Sequence, residues 1–442
     1  MADTEYDVII IGSGISGLCA AARLVHSGYK VLVLERFHQL GGRFSTVNYK
    51  GFKLSTGAND VECNVALEET FHLVEAEFKV RHPEPDLAYR IDGVDHLLPR
   101  QGGMRKLISL AANDEDEEER VRLAFRRALS WEEPGSSISL RDWLAQYTDN
   151  ERMQALFQGF AALVLAINSY ETKARTFIRF LKAMGGKVVH GYAVDGNITL
   201  IMSLAGAIER LGGKVVADTD VTKILVDDNG VAQGVRYKYR GPGEEKEIRS
   251  KVVLSSVGPR GTIRLAGEAN FDKGYLKDVE LNMRPAPVIT IYASSDRPLI
   301  THPGVLVLTN NVRRVCSIRC QTLTNPELAP PGKHLIETFS ALGDSLAPVD
   351  FEKEVALSIL DLKDHIPGFD RHAEILKVML HRGEWPAYHS WPGWTIPPRT
   401  PIENLWNIGD GINPEGWPGL ESSAEGSKRV VEDVMARIRP SK

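Results

Sequence analysis

The chain opens on a short unbroken apolar run, Val8-Ile9-Ile10-Ile11, that stops at Gly12-Ser13-Gly14. Runs of this length without a polar interruption belong to strands buried on both faces. A helical stretch follows over 18–26 and closes near Gly28, and a second apolar run, Val31-Leu32-Val33-Leu34, ends on Glu35. Strand, glycine turn, helix and strand form a βαβ unit, so the pattern predicts an α/β fold. From 139 to 184 the period is helical, with Leu140, Trp143, Leu144 and Tyr147 on one face. Residues 153–167 are almost wholly apolar, too short to cross a bilayer and expected as a buried helix. A helix is predicted over 201–211, strands at Val215-Val216 and from Val221 to Ile224, and a hairpin turn at Asp227-Asp228-Asn229-Gly230. Val252 to Val257 and Pro285 to Tyr292 read as further strands, and 420–437 as the closing helix.

The first turn carries chemistry. Gly12-Ser13-Gly14-Ile15-Ser16-Gly17 has the spacing of a dinucleotide-binding turn. Gly12 permits the tight bend, Gly14 lets backbone approach a pyrophosphate, and Gly17 lets the helix pack close to the sheet. The helix N-terminus favours the phosphate charge. Glu35 stands where a carboxylate takes the hydroxyls of an adenosine ribose.

Past that acid come Arg36-Phe37-His38-Gln39-Leu40-Gly41-Gly42-Arg43 and then Gly57-Ala58. A second stretch of glycine backbone is needed for FAD, whose pyrophosphate is passed closely by two loops, and not for NAD. Arg43 adds a delocalised cation for phosphate or flavin oxygens. Here the chain resembles the superfamily of FAD-dependent phytoene desaturases and flavin amine oxidases, in which E-R-x-x-x-x-G-G-R followed by a Gly-Ala pair marks FAD. The far end of the chain agrees. Thr400-Pro401-Ile402-Glu403-Asn404-Leu405-Trp406 leads into Gly409-Asp410-Gly411 and a Pro/Gly loop over 412–419, and is similar to the closing FAD motif of the desaturases.

The resemblance implies a Rossmann-like FAD-binding domain of the glutathione reductase type with a discontinuous α+β substrate domain. Its FAD-binding pieces would be 1–75, 190–275 and 393–442, and its substrate pieces 76–189 and 276–392. It implies non-covalent FAD held by Gly12, Gly14, Ile15, Ser16, Gly17, Glu35, Arg36, Gly42, Arg43, Gly57, Ala58, Val221, Gly409, Asp410, Gly419 and Leu420. In that picture Asp410 bonds the ribityl or pyrophosphate part, the backbone of Val221 meets the adenine, and Gly419 and Leu420 lie beside the ring. Where the family carries P-x-G-G, this chain reads Val194-Asp195-Gly196-Asn197, which leaves the local substrate-side contacts open.

Composition narrows the rest. With 442 residues, 43% hydrophobic and 25% charged, the chain can bury large cores in two domains. A net charge of −5 offers no basic footprint for nucleic acid. Cys19, Cys63, Cys316 and Cys320 form no disulfide framework and no paired metal spacing, so no metal is expected. The first strand starts too early for a signal peptide, and a cytoplasmic protein is expected. The acid run from Asn113 to Arg120 reads as a solvated loop or helix edge.

Trp385, Tyr388, His389, Trp391 and Trp394 make the densest aromatic patch, with Trp406 and Trp417 beyond. It either lines a cavity or packs a core. Tyr388, His389 and Trp417 are the weak catalytic candidates, and a lone histidine is more often a satisfied polar group than a base. The expected activity is hydride transfer between flavin N5 and a C–C or C=C bond of an apolar, terpenoid or carotenoid-like molecule. Alternatives are a flavin amine oxidase, an FAD-dependent double-bond isomerase and a non-enzymatic prenyl-protein-binding relative. The electron acceptor stays open, and a peripheral membrane contact at the channel mouth is allowed.

Overall fold

The computed structural model describes residues 5–186, 188–241, 243–412, 416–417 and 419–441. Of the closing Pro/Gly loop, residues 413–415 and 418 lie outside this set. The first apolar run forms the strand Tyr6–Ile11, buried at every position, at the centre of one sheet. Parallel neighbours flank it: Val31–Leu34 on one side, with Val8 opposite Val31, and Lys246–Ser255 on the other, with Val8 opposite Val252. Lys214–Val216 extends the first side, and the short strand Leu405–Asn407 joins in parallel beside Lys246–Ser255. The strand Lys246–Ser255 is long enough to serve two partners. Its second half pairs with Tyr6–Ile11, and its first half runs antiparallel to Ala232–Tyr239. The hairpin expected at 227–230 closes Thr219–Val226 onto Ala232–Tyr239.

Helices Ile15–His26, Ile198–Arg210 and Gly419–Arg437 pack together against this sheet. The close approach is visible at Gly17, where an added Cβ would stand 2.1 Å from the Gly12 carbonyl oxygen.

A second sheet has strand order Ala373–His381, Val288–Ser295, His334–Ala341, Val315–Cys320, Val305–Leu308, Leu87–Ile91 and Val94–Leu97. Its pairing is antiparallel except where Val305–Leu308 runs parallel to Leu87–Ile91. The helical pattern over 139–184 resolves into three helices, Leu140–Leu144, Glu151–Leu165 and Ala174–Met184. Asn150 starts the second by accepting from the backbone N–H groups of Arg152 and Met153. Tyr147 therefore lies beyond the first helix, yet still packs edge-on to Trp143 at 5.4 Å. Phe125, Phe157 and Phe177 knit these helices into one core.

The acid run is a helix start. Asp114 caps Glu115–Ser130, and its first-turn acids sit where the helix dipole favours negative charge. Glu117 turns inward to accept from the Asn113 N–H, the Thr148 hydroxyl and Asn150. All four cysteines are buried and unpaired. Among the described residues, no helix is long and apolar enough to cross a membrane.

Candidate active site

One continuous cavity of about 940 Å³ runs from the glycine turns of the first sheet to the apolar wall of the second. At its first end the helix Ile15–His26 begins directly after Gly14, with Gly14 bridged to Gly41. Gly41 has φ +98°, and a Cβ there would come within 2.7 Å of Ile201 and of the Phe44 carbonyl, so only glycine fits. Ser13 ties the two loops together. Its hydroxyl accepts from the Gly41 N–H at 3.2 Å and donates to Glu35 Oε2 at 2.8 Å, while its N–H donates to the same oxygen at 2.9 Å. The Phe37 N–H holds the other oxygen of Glu35 at 2.9 Å. This acid is buried at the strand end and lines the cavity.

Arg36 lines the same end and pairs with Glu384 at 3.2 Å. Val221 lines it too, and the strand register shifts between Val221 and Lys223, which interrupts regular pairing at that backbone. Gly14, Ile15, Ser16, Gly42, Gly57 and Ala58 are further wall residues. Gly57 fits under Arg43, whose carbonyl oxygen would be 2.5 Å from an added Cβ, and the Ala58 N–H donates to that carbonyl at 3.1 Å. Gly12 lines the cavity at the bend, whereas Gly17 and Gly409 pack behind it, the latter against Ser16.

Arg43 and Asp410 form the electrostatic centre. The guanidinium grips the carboxylate with two nitrogens, at 2.5 and 3.2 Å, and also donates to the carbonyls of Pro386 and Ala387. Burial pushes Asp410 up, but the Arg43 charge and His389 outweigh it and hold the carboxyl well below the usual range. His389 Nδ1 lies 3.1 Å from both Arg43 and Asp410, so its ring is engaged with this pair. Three distant segments are thereby fastened at one point.

Tyr388 accepts from the Gly419 N–H at 2.9 Å and donates to the Val164 carbonyl at 3.2 Å. It joins the start of the closing helix to Glu151–Leu165, and burial pushes its phenol further up. Gly419 and Leu420 line the cavity, and Trp417 is half-buried and outside the described lining. The aromatic patch divides between its two readings. Trp385 and Tyr388 line the cavity, Trp391 is buried in a core, and Trp406 bonds Asp433 at 2.9 Å on the far side.

Phe160, Leu163 and Val164 of Glu151–Leu165 line the apolar end with Val288, Val305 and Phe339, while Leu156, Phe157 and Leu165 fill the core behind. Sequence reasoning missed a set of buried polar groups in this wall: Glu62, Tyr192, Arg319, Glu337 and His381. Burial pushes Glu62 up to about 8 and Glu337 up to about 7, and lowers His381 to about 4. The available signal was a charge inside an apolar strand, as in Val315–Cys320 and His334–Ala341.

Two glycine loops meet at a helix start, with a buried acid at one end of the cavity and an apolar wall at the other. The protein is a flavin-dependent oxidoreductase. It belongs to the flavin containing amine oxidoreductase family, which it matches over residues 15–435. It is 24% identical to a 4,4'-diapophytoene desaturase (4,4'-diapolycopene-forming) of Methylomonas sp over 503 aligned positions, covering 98% of this chain and 96% of that one. An uncharacterized protein of Methanocaldococcus jannaschii is 26% identical over 440 positions, 96% of this chain and 98% of its own. The crystal structure of an oxidoreductase from Methanosarcina mazei superposes with a TM-score of 0.87 at 27% identity, covering 96% of this chain and all of that one.

Proposed function

We propose that the protein binds FAD without a covalent bond and moves a hydride between flavin N5 and a C–C or C=C bond of an apolar, terpenoid or carotenoid-like substrate. The observation that carries this reading is the continuity of the cavity, from the phosphate-binding turns to an aliphatic and aromatic wall. Gly14 and the N-terminus of Ile15–His26 would hold the pyrophosphate, and Glu35 the adenosine ribose. Asp410 orients the Arg43 guanidinium for phosphate or flavin oxygens. The start of the closing helix at Gly419 and Leu420 would favour negative charge on the ring edge. Among the described residues no cysteine lines the cavity, so no thioether to the flavin is available from this wall.

Bound there, oxidised flavin supplies a hydride acceptor. The chain's own part is to hold a C–H bond in place and keep water out. Phe160, Leu163, Val164 and Phe339 do both, since a long apolar molecule gains by burial against them and leaves no room for solvent. The similarity to a diapophytoene desaturase supports an apolar polyene over an amine.

Anaerobic mixing of the yellow protein with polyenes and with amines tests the assignment. Bleaching of the flavin band by a polyene is the expected result. Bleaching by amines alone would make the protein an amine oxidase. Rearranged product without bleaching would make it an isomerase.

A further inference from the structure

Beyond Gly57 and Ala58 the cavity wall changes character. Asp60, Tyr192, Arg319 and Glu337 line it together, although most of the surrounding wall is apolar. Arg319 and Glu337 are direct cross-strand neighbours on Val315–Cys320 and His334–Ala341. Arg319 is 5% exposed, and its hydrogen bond among the described residues goes to Asp60 at 2.8 Å. A guanidinium has several N–H donors, so most of this one is uncommitted. Glu337 is 3% exposed; one carboxyl oxygen is taken by Asn59 and Tyr292, and the other has no partner. Tyr192 is 2% exposed, and its hydroxyl has no partner either. Buried polar atoms without partners are rare in folded proteins, and those of Tyr192 and Glu337 belong to one cavity wall.

We propose that this patch is a binding subsite for a neutral oxygen function, a hydroxyl or carbonyl, carried at one end of the otherwise apolar substrate. The proposal rests on the apolar reading of the rest of the cavity. The charge balance selects neutrality. Asp60 already compensates Arg319, and burial pushes the Glu337 carboxyl up to about 7, so the patch resists a further negative charge. A carboxylate ligand would add one beside Asp60 and Glu337. The hydrogen-bond balance selects an acceptor, because the spare groups of Arg319 and Tyr192 are donors. An ammonium offers none. A pure hydrocarbon would cover the patch and leave every spare donor dry.

The test is a binding titration of the oxidised holoenzyme, followed by the perturbation of its flavin absorption band. The ligands share one polyene skeleton: all-trans-retinol, retinal, retinoic acid, retinylamine and the parent hydrocarbon. Retinol and retinal should bind about tenfold tighter than the hydrocarbon. Tyr192→Phe removes a hydroxyl that holds nothing else in place, so it should fold and keep its flavin. It should lose most of that preference while binding the hydrocarbon as before. Glu337→Gln keeps an oxygen for Asn59 and Tyr292 and puts an N–H donor at the free position, so it should retain the preference. Equal binding of alcohol and hydrocarbon would overturn the subsite and leave the apolar reading standing. Tightest binding of the acid or the amine would also overturn it. Loss of flavin from Tyr192→Phe would assign the patch to the cofactor instead. Failure of the whole set to bind would defeat both the subsite and the apolar reading.

Discussion

Glu35 is held in the fold and faces the proposed cofactor site at once. Its carboxylate anchors Ser13 and Phe37 while lining the cavity, so both neighbouring loops depend on it. Glu35→Ala should lose charge-assisted bonds of roughly 1.5–3 kcal/mol each. The variant should purify with much less flavin, and full yellow colour after gel filtration would remove Glu35 from the site. Glu62 makes a second prediction, in the apo-protein. Its carboxyl is pushed by burial up to about 8, against an ordinary 4.5, so the folded state holds a proton that the unfolded state has released. Stability from this group is therefore full below the ordinary value and lost as pH rises through about 8. Between about pH 5.5 and pH 7 the slope from Glu62 should approach about −1.4 kcal/mol per pH unit and should fade above about 8. Urea melts of Glu62→Gln should show a flatter dependence; an unchanged slope would place the proton elsewhere.

At the scale of elements, the helix Glu151–Leu165 presents two faces. Phe157 points into a core of aromatic rings, while Leu163 is half-buried at the cavity. Phe157→Asp should cost several kcal/mol for an unpaired buried carboxylate and prevent folding. Leu163→Asp should fold and keep its flavin, yet lose turnover on apolar substrates roughly a hundredfold through misplacement. Equal behaviour of the two, read by expression, flavin content and rate, would contradict this division.

What the sequence made legible follows the same logic of locality. The turn from Gly12 to Gly17, the hairpin at 227–230 and the strand at Val252 rest on neighbouring residues, so their pattern is written in place. The polar wall is assembled from the segment around Asp60 and strands near 192, 319 and 337, and no spacing relates them. His389 illustrates the intermediate case. Its position beside the closing motif was visible, but its engagement with Arg43 and Asp410 needed three chain segments to meet.

At the scale of the whole molecule, one cavity is lined both by the glycine turns of the first sheet and by an apolar wall, and the paired Arg43 and Asp410 line it too. The chain carries a single Gly-x-Gly-x-x-Gly turn, at Gly12, so nothing built like it is left for a nicotinamide cofactor. NADPH added anaerobically should reduce the flavin slowly or not at all, and stoichiometric bleaching within seconds would reveal a second dinucleotide site.

In the proposed function, the cradle spanning Glu35, Arg43 and Asp410 holds FAD without a bond to the chain. Acid precipitation of the purified yellow protein, followed by chromatography of the supernatant, tests it most directly. Close to one FAD per chain in solution and a colourless pellet are expected. FMN in the supernatant, or yellow colour retained in the pellet, would contradict it.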